Sequence, residues 1–181
     1  MYWVASWVTQ AQNRQPMKIS NGVTAATYPV AVIMERVALA NRWQSESWEA
    51  KGVVPDTLPA GSGEHVIVSQ GKLTQILFPG HLLRLFLDEA EGYFYNISSP
   101  QPKVFVLWRM HDDVARPERV TVSYHEGARW MDSDEHVDGV PLPDEILPWI
   151  REFAERHYKP EPKKQKRYAS NKDKGRMGRF E

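Results

Sequence analysis

The sequence predicts an α+β fold: a curved, mostly antiparallel sheet or partly open barrel of six to seven strands, capped by a C-terminal helix. Three observations predict it. Short β-branched and aromatic runs bounded by turn residues recur from Tyr28 to Ser123. A long apolar stripe of helical period appears only near the end, from Ile146 to His157. Strands followed by a terminal helix fit α+β, because parallel sheets need strand and helix to alternate.

The first expected strand is "YPVAVIMERV", Tyr28 to Val37, a β-branched run after a proline. In "SWEAKGVV" strict alternation puts Trp48, Ala50, Gly52 and Val54 on one face and Glu49 and Lys51 on the other, so Trp48 belongs to the core. "PDTLPAGSG" is a loop by turn chemistry, and "EHVIVSQG" a short strand. "HLLRLFLDEAEG" fits both periods, and strand is favoured through Leu83, Leu85 and Leu87, with Pro79-Gly80 as its boundary. "GYFYNIS" and "KVFVLWRM", separated by "SPQP", read as two hairpin strands, the second apolar on both faces and therefore central. "RVTVS" alternates with Val120 and Val122 inward, and "HEGARWMDSD" can form about two helical turns. In the last element Ile146, Trp149, Ile150, Phe153, Ala154 and His157 share one face, with Asp144 and Glu145 suited to its first turn; the helix either starts at Pro148 or kinks there.

The expected organisation is a disordered leader over 1–27, with Met17 as an alternative start, a single α+β domain over 28–158 and a basic disordered tail over 159–181. The tail holds nine Lys or Arg against three acids, a net of +6, so the other 158 residues carry 14 basic and 20 acidic groups, a net of −6. Overall neutrality therefore hides an acidic body and a basic end. Residues of the tail are too polar to bury a core.

Composition excludes several chemistries. The chain has no cysteine, which removes disulfides, thiolate nucleophiles and cysteine-ligated metals. No apolar run is long enough for a membrane helix, and the N-terminus lacks the layout of a secretory signal, so a cytoplasmic protein is expected. The six histidines show no helical i, i+4 pair of zinc-protease type. "DSDEHVDG" has its glycine eighth instead of sixth and Pro143 where a calcium loop needs glutamate, so it reads as a solvated loop. "HDD" at His111 to Asp113 reads as a polar turn. "GSG" at Gly61 to Gly63 is too short for a phosphate loop, and neither G-x-S-x-G nor G-x-G-x-x-G occurs. No catalytic residue, cofactor or metal is expected. An enzyme on an unrecognised site would draw on Tyr93, Asn96 and His111. A nucleic-acid binder would use the tail alone, against an acidic body.

The segment "YPVAVIMERVALANRWQSESWEAKGVVP" resembles the start of the proteobacterial domain of unknown function 3305 family, with its P-V-x-V-x-x-E-R strand followed by W-Q-x-x-x-W. "LRLFLDEAEGYFYNISSPQPKVFVLWR", "VTVSYHEGARWMDS" and "VPLPDEILPWIREFAERHYKPEPKKQKR" resemble its later blocks, from about Tyr28 to Arg167 in all. The departures are Gly127, where the family often has alanine and where the change reads as minor, and Pro148 in the helix. The family brings no established activity. The resemblance implies a setting beside molybdenum-dependent formate dehydrogenases and their maturation factors. A guanylyltransferase label carried by some members does not suit this chain, which has no glycine-rich L-A-G-G loop near residue 30. The expected function is thus a non-catalytic accessory factor binding another protein, with formate dehydrogenase subunits or maturation factors as partners. Its contact residues would be Trp43, in the turn before Trp48, and Lys163, Lys164, Lys166, Arg167 and Tyr168 in the tail.

Overall fold

A computed structural model describes residues 24–40 and 43–159. The strands are β1 (Thr24–Ala38), β2 (Glu46–Pro55), β3 (His65–Gln70), β4 (Leu73–Phe86), β5 (Lys103–His111), β6 (Val114–Thr121) and β7 (His136–Pro141). The helices are α1 (Ala90–Ile97), α2 (Tyr124–Met131) and α3 (Leu147–His157). Every strand pairing is antiparallel. The expected α+β class, mostly antiparallel strands and C-terminal helix are present; the seven described strands form two sheets, ordered β2-β1-β4-β3 and β6-β5-β7, and close no barrel.

The main core lies between the sheets and is closed by two helices: Val30, Val32, Met34, Leu83 and Leu85 face Val104 and Val106, with Tyr93 of α1 and Ile150 and Phe153 of α3 packed among them. The other face of β5 makes a second core, in which Phe105 and Leu107 pack with Trp130 of α2. Both faces of β5 are covered, as its unbroken apolar run requires. α2 can approach β5 because position 127 is glycine; a Cβ there would stand 2.5–2.8 Å from three Phe105 ring atoms. The Gly127 departure is therefore not minor.

β1 begins at Thr24, because Thr24, Ala26 and Thr27 pair with Phe86, Leu85 and Arg84; the last residues of the expected leader are strand. Trp48 is half-buried against the core and Ala50 is buried, but Val53 replaces Val54 as the next inward residue. The ladder steps from Gly52 to Ala50 across one β1 bond, leaving Lys51 as a bulge residue that reverses the alternation. Pro79-Gly80 does not bound β4. The register slips there against β1, and Gly80 takes φ +83°, so the pair is a bulge inside one strand.

β4 ends at Phe86, and a 3₁₀ turn at Leu87–Glu89 leads into α1. "GYFYNIS" is thus helix, not strand. Its aromatic content favours β, but Ala90, Tyr93 and Asn96 all bury one side of a helix against α3 and β5. The second half of the expected loop over Asp132 to Gly139 is strand instead: "HVDGVP" is β7, paired with β5 from Trp108↔His136 to Lys103↔Pro141. α3 starts at Leu147 with Pro148 in its first turn, where a missing N–H costs nothing. Asp144 and Glu145 precede that turn.

Candidate functional site: a tryptophan-lined cleft

The upper ends of both sheets meet at a cleft of about 970 Å³. β1 contributes Arg36, the connection to β2 contributes Trp43, and β2 contributes Trp48. From the second sheet come Trp108 of β5, the β5–β6 turn and His136 of β7. That turn holds Asp112 and Asp113 at φ 49° and 63°, the positive pair that a two-residue hairpin connection demands and that Asp tolerates. The polar turn expected for "HDD" is present.

The walls are fixed by paired aromatic and charged groups. The Arg36 guanidinium carbon lies 5.9 Å from the Trp48 ring centre, and its Nη1 and Nη2 reach Glu46 and Thr74, each at 3.4 Å. Trp108 stacks on His136 with ring centres 4.4 Å apart and planes 11° from parallel. Its Nε1–H donates to Asp138 Oδ2 at 2.8 Å. Close by, Arg109 is held above its ordinary pKa, first by its hydrogen bonds to Glu135 at 3.0 and 2.7 Å and also by Glu118. Two buried donors, Arg36 Nε and Trp48 Nε1, have no acceptor among the described residues. Trp43 stands 90% exposed at the cleft.

Among the described residues no group of three or more His, Asp or Glu could hold a metal ion. Tyr93, Asn96 and His111 do not form a site. Tyr93 is fully buried, accepts the Phe86 N–H at 2.9 Å, and has its phenol pushed far above its usual range, chiefly by burial. Asn96 donates to the carbonyls of Lys103 and Val122 and accepts the Lys103 N–H. His111 sits at the far end of β5, 3.0 Å from Glu118. Eight residue steps along β5, roughly 26 Å, separate it from Lys103.

Of the expected contact residues, Trp43 is at the surface as its turn position implied. Lys163, Lys164, Lys166, Arg167 and Tyr168 lie outside the described residues. Sequence reasoning passed over Arg36, Trp108, His136 and Asp138. Arg36 was visible in the E-R pair before the tryptophans; His136 and Asp138 were hidden in an acidic stretch that resembles a loop.

Fold and site together define an α+β protein with a tryptophan-lined cleft between two antiparallel sheets. The chain belongs to the family described as protein of unknown function (DUF3305), whose model matches residues 29–167. No curated protein and no solved structure matches it.

Proposed function

We propose that the chain is a non-catalytic, cytoplasmic accessory protein whose tryptophan cleft holds a segment of another protein. The observation that carries this reading is Trp43, exposed over a cleft walled by Trp48 and Trp108. Large aromatic rings at a concave surface are efficient anchors, since they bury much area for little lost side-chain entropy.

The partner class follows from what the family resemblance implies: subunits or maturation factors of a molybdenum-dependent formate dehydrogenase, in whose assembly the protein would act. The basic residues at 163–168 would add contacts to an acidic partner surface. The test is affinity capture with tagged full-length protein from its native cells, grown so that formate dehydrogenase is required, beside Trp43→Ala. Recovery of dehydrogenase subunits or maturation factors, reduced about tenfold or more by the substitution, is expected for an anchor of this kind. Abundant, folded bait that recovers neither class overturns the proposal.

A further inference from the structure

A second concavity lies at the other end of β5. This groove, of about 680 Å³, opens between α1, α2 and the first residues of β5, within the size range of small-molecule sites. Its lining is mostly apolar: the buried Phe105 ring with exposed Tyr95, Tyr124 and Met131. Phe105 and Tyr124 meet edge to face at 6.3 Å, and Tyr95 and His125 at 5.7 Å, so the rings hold one another in place. Asn96 also lines the groove, but both its N–H bonds go to backbone carbonyls, leaving an occupant no free donor there.

Charge is what distinguishes this groove. The body is acidic, net −6 outside the last 23 residues. Yet among the described residues no carboxylate lines the groove, and the charged residue there is Lys103, joined by His125. The Lys103 ammonium forms no ion pair among the described residues. An apolar cavity lined by one available cation and by no acid among the described residues disfavours cations and attracts anions through Lys103, so its complement is an apolar body bearing one negative group.

We propose that the groove binds a small amphiphilic anion, with an aromatic or aliphatic body against Phe105, Tyr124 and Met131 and a carboxylate or sulfonate on Lys103. The site is separate from the tryptophan cleft and does not depend on the function proposed for it.

Full-length protein is titrated with 8-anilinonaphthalene-1-sulfonate and with the uncharged N-phenyl-1-naphthylamine, following probe emission. One saturable site is expected, from which dodecanoate displaces the sulfonate much better than 1-dodecanol does. Lys103→Gln, a change at an exposed side chain, weakens the sulfonate about tenfold and leaves the neutral probe within about twofold, the loss expected for one charge-assisted contact. Ala128→Trp fills the groove and abolishes both; Trp43→Ala affects neither. Non-saturable binding, or sulfonate affinity unchanged in Lys103→Gln, overturns the proposal whether or not Ala128→Trp folds.

Discussion

The indole N–H of Trp108 donates to Asp138 Oδ2 at 2.8 Å, and the same oxygen accepts the Ala50 backbone N–H at 2.7 Å. One carboxylate therefore ties β5 and β7 of the second sheet to β2 of the first, directly behind the cleft. Asp138→Ala leaves a buried indole and a backbone donor unmatched and should cost about 3 kcal/mol, whereas Asp138→Asn, which keeps an acceptor, should cost about 1 kcal/mol. Urea midpoints at constant slope measure both. Equal losses would show that the tie is not what holds the sheets in register.

Trp43 and Trp48, five residues apart, should separate function from stability. Trp43→Ala at an exposed position should change stability by less than about 0.5 kcal/mol. Trp48→Ala, which removes a ring packed on the core and the face under Arg36, should cost about 2 kcal/mol or more. A large stability loss in Trp43→Ala would make any loss of partner capture uninterpretable and would move Trp43 into the fold.

Gly127→Ala places a methyl against the Phe105 ring and should cost about 1–3 kcal/mol by overpacking. For a chain of this size each kcal/mol lowers the melting temperature by about 2–4 °C. A neutral result would mean that Phe105 moves freely, and the groove it lines would then change shape with it.

Ser123 caps α2: its Oγ accepts the Glu126 N–H at 3.1 Å and donates to buried Glu89 Oε2 at 2.5 Å, while Arg129 meets Oε1 of the same carboxylate at 2.6 Å. Ser123→Ala removes the cap and one donor to Glu89, so about 2 kcal/mol should be lost, more than the roughly 1 kcal/mol of an ordinary cap. Chemical denaturation decides it, and a loss at the ordinary level would show that Arg129 alone satisfies Glu89.

Glu35 is only 5% exposed beneath Gln75 and Lys51. The Gln75 hydrogen bond, aided by Lys51 and opposed by burial, holds its carboxyl below the ordinary 4.5. A folded-state pKa depressed below the unfolded one contributes stability above the unfolded value, lost as pH falls through the folded value. Stability should therefore decline as pH drops below 4.5, and Glu35→Gln should flatten that decline. A Glu35→Gln profile parallel to wild type would remove Glu35 from the acid response.

Local patterns in the chain by themselves determined the α+β class, the two-sided burial of β5, the Asp112-Asp113 turn, α2 and the apolar face of α3. Each rests on neighbours within a few residues, where alternation, helical spacing and turn chemistry act directly. Only the tertiary structure decided that aromatic "GYFYNIS" winds as α1, since the choice depends on α3 and β5 being there to cover it. It also decided that acidic "HVDGVP" is a strand, through the β5 edge it joins and the Trp108 and Ala50 donors that Asp138 meets. The bulge at Lys51 turned Val53 inward in place of Val54, and the bulge at Pro79-Gly80 carried β4 on where a boundary was expected, because register is set between strands, not along them. The cleft was legible only as two tryptophans. Its other walls come from residues 36, 108 and 136, which no local pattern links and which strand pairing alone brings together.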